Sequence, residues 1–184
     1  MAREKREETH HLTLLRHAKS SWSQSGVEDH ERPLNARGEH AARLLAAYFA
    51  EREPPDLVLC SSARRTQQTL EPIAAALRPR PRIVIEDVLY LASPIKILRR
   101  ISEIEDEVKS ALVLGHNPAL HELASALAAH SPRRLRAKLS GKFPTGAAAA
   151  FRFSGPWSGI AHASLIMTEL VTPADLAADV ENDD

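Results

Sequence analysis

Near its amino terminus the 184-residue chain reads HLTLLRHAKS over residues 11–20. The first half of this segment is a short apolar run, which is typical of a buried strand. The run ends at Leu15, so two basic side chains, Arg16 and His17, follow directly on the carboxyl end of the predicted strand. Similar junctions between an apolar run and polar or basic residues recur downstream, and this recurrence decides the predicted fold.

Short apolar runs alternate with longer segments of helical period along the chain. Strands are predicted at residues 11–15, 57–60, 83–85, 111–114, 147–153 and 163–169, and helices over residues 38–51, 65–77, 93–104 and 117–128. The basic residues 131–146 are predicted to be irregular. The alternation indicates an α/β protein, here a three-layer α/β/α sandwich around a mostly parallel sheet. We expect one domain over residues 1–184, with flexible ends at about 1–8 and 179–184.

Composition argues against several classes of protein. Lysine and arginine number 24, as do aspartate and glutamate, so net charge gives no argument for a nucleic-acid or membrane partner. The single cysteine excludes an intrachain disulfide, and no apolar run approaches the ~20 residues of a membrane span. We therefore expect a cytoplasmic monomer that binds neither nucleic acid nor membrane.

Three of the predicted strands end at side chains that suit an anion. Arg16 and His17 follow the first strand, Ser61 and Arg65 follow the second, and His116 follows the fourth. Because the carboxyl ends of parallel strands meet at one edge of a sheet, these side chains should converge there. Arginine recognises phosphate oxygens in a bidentate manner. A phosphoryl group fits this set best, and its transfer needs mainly positioning and charge stabilisation, so we expect neither a metal nor a cofactor.

An imidazole nitrogen can attack phosphorus and form a covalent intermediate that water later cleaves. His17 is the predicted nucleophile because Arg16 is fixed beside it. His116 precedes Asn117 and Pro118, a cap residue followed by proline, which predicts the start of a helix. The amino terminus of such a helix also favours an anion.

Four segments in this order resemble motifs of the histidine phosphatase superfamily. The segment LRHA matches the arginine–histidine–glycine signature, with Ala18 in the place of glycine. The next three segments resemble, in order along the chain, the opening of the first helix, the second arginine motif and the second histidine motif. The four segments are residues 15–18, 32–38, 61–69 and 115–118. Together with KFPTG at residues 142–146 and the short length, they resemble the SixA-type phosphohistidine phosphatases.

The resemblance implies a phosphoglycerate mutase-like fold and a role for each matched residue. By this resemblance His17 is phosphorylated, while Arg16, Arg65 and His116 hold the phosphoryl oxygens. Ser61, in the second motif, is predicted to contact substrate.

Two further predictions concern the surroundings of this site. Ser23, shortly after the first motif, is predicted to contact substrate at the rim of the site. Many superfamily members carry a general acid after the third strand, but here Leu91 occupies the corresponding place in LYLA at residues 89–92. Glu86 and Asp87 lie nearby, and Glu86 is the candidate acid.

The missing acid favours a substrate whose leaving group is easily protonated, such as the imidazole of phosphohistidine, whose nitrogen can take up a proton before or during departure. We therefore expect removal of phosphate from phosphohistidine on a protein, either a histidine phosphocarrier or a histidine kinase domain. The alternatives are a phosphatase for a small phosphorylated metabolite and a non-catalytic phosphate-binding module. A cysteine phosphatase built on Cys60 is disfavoured, because its Cys-x5-Arg pattern requires arginine at position 66, which is threonine.

Overall fold

The computed structural model describes residues 8–22 and 26–182, and its centre is a six-stranded sheet. The strands are β1 Thr9–Arg16, β2 Leu57–Ser61, β3 Arg82–Glu86, β4 Ser110–Gly115, β5 Ala148–Ser154 and β6 Ile166–Val171. They lie in the order β3-β2-β4-β1-β5-β6. Strands β1 to β4 run parallel, whereas β5 runs antiparallel to β1 and β6. The prediction of a mostly parallel sheet is confirmed.

Helices cover both faces of this sheet. In the described residues they are α1 Ala36–Ala50, α2 Arg64–Ala76, α3 Pro94–Ser102, α4 Ala119–Leu127, α5 Arg133–Gly141 and α6 Pro173–Asn182. Leu15 of β1 packs in a core with α1, α2 and α6, whereas Leu14 packs in a core with α3, α4 and α5. Successive strand residues point to opposite faces, so β1 contributes to both cores. The predicted three-layer sandwich is confirmed.

The expectation that residues 131–146 are irregular is wrong, because α5 lies within them. Its apolar face is narrow: Leu139 is buried and Leu135 is half-buried, and the remaining positions are mostly basic and exposed. The Leu139 carbonyl also accepts a hydrogen bond of 2.7 Å from His121 Nε2 of α4. Two apolar positions are a weak periodic signal, and contacts with α4 decide the conformation.

Helix α6 is not among the helices predicted from the sequence. It begins with a reciprocal cap, in which Thr172 N donates to Asp175 Oδ2 at 2.7 Å and Asp175 N donates to Thr172 Oγ1 at 3.3 Å. The helix runs through Asn182, into the acidic residues at the end of the chain. No helix in the described part of the chain is long and apolar enough to cross a membrane.

The parallel register aligns three strand ends at one edge. Arg16 pairs with Gly115 of β4, and Cys60 of β2 pairs with Leu114 of the same strand. The residues that follow these pairs therefore emerge side by side.

Helix α1 fixes the loop that leaves β1 at this edge. Its cap residue Asn35 accepts from Gly38 N at 2.9 Å, and Asn35 N donates to Lys19 O at 3.0 Å. A Cβ on Gly38 would collide with the Lys19 carbonyl oxygen. Only glycine lets α1 approach the loop this closely, so the segment at residues 32–38 supports the residues that follow His17.

Candidate active site

His17 stands directly after β1, with its backbone N donating to Gly115 O at 3.1 Å. Its Nδ1 lies 2.7 Å from Ala18 O. Because a carbonyl only accepts, Nδ1 carries the proton and Nε2 keeps a lone pair in the neutral ring. Burial lowers the pKa of His17 to about 4, and the positive charges of Arg65 and Arg16 add to this effect against the opposing bond to Ala18. The ring is therefore a neutral base at physiological pH.

His116 follows β4 and faces His17, with the ring centroids 5.1 Å apart. Its Nε2 lies 2.8 Å from the fully buried Ser61 Oγ. Burial lowers the pKa of His116 to about 3, so this ring is neutral as well. When the Ser61 hydroxyl donates to Nε2, the ring proton lies on Nδ1, which is buried without a hydrogen-bond partner.

The two predicted arginines reach the same place from different elements. Arg16 NH1 donates to Phe143 O at 2.9 Å, while its Nε is buried without a partner. Burial lowers the pKa of Arg16 from its ordinary value, and the side chain stays a cation because that value is so high. Arg65, in the first turn of α2, is almost fully buried. Two buried polar atoms without a partner, Arg16 Nε and His116 Nδ1, thus lie in one basic cluster.

Asp29 holds Arg65 and was missed by the sequence analysis. Arg65 donates to Asp29 O at 2.5 Å and to Asp29 Oδ2 at 3.0 Å. The same carboxylate accepts from Tyr90 Oη at 2.9 Å and from Arg32 NH1 at 2.8 Å. Partial burial would raise the pKa of Asp29, but the hydrogen bond from Tyr90 and the charges of Arg65 and Arg32 lower it. Asp29 is therefore an ionised bridge between two site arginines.

Arg32 belongs to the same cluster and was noted in the sequence only as part of the segment that opens α1. It donates to Ser20 Oγ at 2.6 Å and to Ser21 O at 3.0 Å. Its guanidinium also stacks 3.3 Å from the ring centre of Trp22. Arg32 thereby binds the loop after His17. The position of Asp29, three residues before Arg32, was the one sequence feature that could have indicated this ion pair.

Of the other predicted site residues, Ser61 lies in the site and Glu86 does not. Ser61 orients His116, with its hydroxyl engaged by that ring. Ser23 lies outside the described residues. Glu86 is directed to α3, where Arg100 Nε and NH2 donate to its carboxylate at 2.7 to 2.9 Å. The structure therefore joins Glu86 to Arg100 and does not bring it to the two histidines.

Asn117 does not cap α4 as predicted. The cap position is Pro118, and Asn117 Nδ2 donates instead to Phe143 O at 2.9 Å. Phe143 O also accepts from Arg16, so Asn117 helps to hold the loop before β5 against the site.

Cys60 is buried and cannot act as the nucleophile. Burial raises the pKa of its thiol to about 12, and Sγ donates to Ser61 O at 3.3 Å. A neutral thiol is a poor nucleophile, which argues against the cysteine phosphatase. Among the described residues there is also no group of three or more histidine, cysteine or acidic side chains that could hold a metal ion.

The chain is similar to known proteins in its sequence and in its fold. Residues 12–89 match the histidine phosphatase superfamily (branch 1). A protein of Mycobacterium tuberculosis of uncharacterised function is 37% identical over 149 residues, which cover 79% of this chain and 91% of the relative.

Solved structures assigned as SixA phosphohistidine phosphatases share the fold. The one from Agrobacterium tumefaciens is 30% identical with a TM-score of 0.76, over 89% of this chain and 98% of that one. The one from Nakamurella multipartita is 28% identical with a TM-score of 0.77, over 90% of this chain and 96% of that one. The chain thus belongs to the histidine phosphatase superfamily, as a phosphatase of its SixA type.

Proposed function

We propose that the chain hydrolyses phosphohistidine carried by a protein, through a phosphoryl intermediate on His17. The observation that carries the proposal is the state of His17: a buried, neutral imidazole whose Nδ1 proton is held by Ala18 O and whose Nε2 keeps its lone pair. A nucleophile of this kind needs no base to activate it.

In the first step His17 Nε2 attacks phosphorus and the P–N bond of the substrate breaks. The bonding electrons leave with the substrate imidazole, which takes up a proton. In the second step water attacks phosphorus, the bond from phosphorus to Nε2 breaks, and phosphate leaves as a proton is released. Protons and charges balance over the two steps, and the net change is the addition of one water.

Fixed positive charge stabilises the phosphoryl oxygens in both steps. Arg16 supplies its unpaired Nε, and His116 supplies Nδ1 in the tautomer in which Ser61 donates to Nε2; both nitrogens are buried without a partner. Arg65 contributes its guanidinium, which Asp29 holds in place. Ser61 orients the His116 ring for this contact.

The absence of an acid at position 91 supports the choice of a P–N bond. An alkoxide leaving group gains much from a general acid, whereas imidazole leaves readily once it is protonated. The likeness to solved structures assigned as phosphohistidine phosphatases supports this proposal.

The test compares initial rates on a phosphocarrier protein phosphorylated on histidine, on a histidine kinase domain, and on a panel of alkyl and metabolite phosphates. We expect the highest kcat/KM on protein phosphohistidine, labelled phosphate trapped on His17, and no turnover by His17→Ala. Equal or higher kcat/KM on a metabolite phosphate would support the alternative substrate class. Turnover by His17→Ala would refute the mechanism.

A further inference from the structure

Three exposed large apolar side chains lie within eight residues of one another, in the part of the chain that borders the candidate site. Five such side chains occur among the described residues, namely Trp22, Ile85, Val88, Leu91 and Ile95. Val88 and Leu91 lie in the segment that joins β3 to α3, and Ile95 lies in the first turn of α3, at the edge of the sheet where the site forms. We call these three residues the apolar rim. Grouped apolar side chains at a surface indicate a binding surface, whereas single ones do not.

Leu91 is the most unusual member of the apolar rim. Its φ is 51°, in the left-handed region that leucine rarely adopts, and its side chain is 73% exposed. Folding therefore holds a leucine in a strained backbone conformation although its side chain stays largely in solvent. Strain of this kind tends to persist at functional sites.

A groove joins Leu91 of the apolar rim to His116. It has a volume of about 350 Å³ and runs from His116 and Asn117 to Leu91 and Pro94, with Ile97 among its lining residues. A substrate whose phosphoryl group lies at His116 therefore has its leaving group within reach of the apolar rim.

We propose that the apolar rim docks the protein that carries the phosphohistidine, by contact with apolar side chains that flank its phosphorylated histidine. This inference rests on the proposed function. Among candidate occupants, a metabolite phosphate or free phosphohistidine is small and polar and leaves Ile95, which is 79% exposed, in solvent. A protein surface centred on the phosphohistidine can cover both Leu91 and Ile95.

The test uses two substrates with the same P–N bond, free phosphohistidine and a phosphocarrier protein phosphorylated on histidine. The variants are Leu91→Asn and Ile95→Gln. Asparagine tolerates the left-handed backbone, and glutamine suits the first turn of α3. The control is Ile85→Thr, which removes an isoleucine that is 44% exposed. Its neighbour Val84 packs toward the α3 and α4 core, so Ile85 points to the other face of the sheet.

We expect each rim variant to lower kcat/KM on the phosphocarrier about tenfold, mainly through KM, since burial of one such side chain is worth roughly that factor. Ile95→Gln, at a residue outside the groove lining, should keep the wild-type rate on free phosphohistidine. Leu91→Asn should lose less on free phosphohistidine than on the phosphocarrier, and Ile85→Thr should leave both rates unchanged. Equal loss on both substrates would show damage to the site and overturn the docking role.

The two proposals fail in different ways. If the wild type hydrolyses the phosphocarrier but the rim variants lose no more than Ile85→Thr, the docking role is wrong and the proposed function stands. If the wild type hydrolyses free phosphohistidine but not the phosphocarrier, the proposed protein substrate is wrong, and the docking role falls with it.

Discussion

Replacement of Gly38 by alanine tests whether α1 fixes the loop that follows His17, the proposed nucleophile. In an open helix this change is stabilising by about 0.5–1 kcal/mol, because alanine loses less backbone entropy than glycine. Here the added Cβ would collide with Lys19 O and lie 2.9 Å from Lys19 C and 3.0 Å from Lys19 N. All three are backbone atoms that cannot rotate away. We therefore expect the sign to reverse, so that Gly38→Ala is destabilising.

The magnitude follows from what must move. Forced overpacking costs about 1–3 kcal/mol. The shift also strains the Asn35 bonds to Gly38 N and Lys19 O, and loss of a helix cap costs about 1 kcal/mol. We expect a loss of about 2–4 kcal/mol in the free energy of unfolding. For a chain of this length, that lowers Tm by about 4–16 °C.

The assay is urea unfolding followed by circular dichroism, with kcat measured well below Tm. Gly141→Ala is the matched control, because a Cβ at the end of α5 meets nothing within 4 Å. The control should be neutral or slightly stabilised. Since Lys19 lies two residues after His17, folded Gly38→Ala should also show a lowered kcat. A Gly38→Ala protein as stable as Gly141→Ala would refute the close-approach argument.

Three further predictions concern the site itself. Ser61→Ala should lower kcat/KM about tenfold, because it removes the hydrogen bond that orients the buried His116 ring, and the unfolding midpoint is the control for folding. Asp29→Asn removes the carboxylate bound to Arg65, so inorganic phosphate should bind more tightly and its inhibition constant should fall. The kcat should fall as well, because the Arg65 guanidinium is held less firmly. Unchanged values of both constants would contradict the role of Asp29 as a bridge between Arg65 and Arg32. The rate of the folded enzyme should stay level from pH 7 to about pH 5 and fall as the pH drops through the His17 pKa of about 4. The reason is that protonation removes the Nε2 lone pair. A pH–rate profile whose fall is centred on the ordinary histidine pKa of 6.5 would contradict this prediction.

Much of the fold follows from local patterns. The apolar run before Arg16 predicts β1, and its side chains do enter both cores. The Ser93–Pro94 pair predicts the start of α3, where Ser93 Oγ accepts from Lys96 N at 3.3 Å. The positions of Arg16, His17 and His116 follow from strand ends in a parallel sheet.

What the sequence did not reveal depends on contacts between distant segments. Asp29 reaches Arg65 and Tyr90, which lie 36 and 61 residues further along the chain. No local period marks such a bridge. Asn117 matches the local pattern of a helix cap, but its Nδ2 donates to Phe143 O, and its Oδ1, the atom that would cap the helix, has no partner. The contacts of Asp29 and Asn117 therefore depend on tertiary structure and not on local sequence.

The bridge through Asp29 also bears on turnover. A carboxylate and a phosphoryl group both present paired oxygens to a guanidinium. Asp29 thus satisfies Arg65 while the site is empty, and an arriving phosphoryl group must share or take over these donors. The same competition acts on the product, since Asp29 can regain Arg65 as phosphate leaves. An internal anion at this position therefore weakens the binding of free phosphate while the guanidinium stays in place for the transition state, where negative charge is spread over the phosphoryl oxygens.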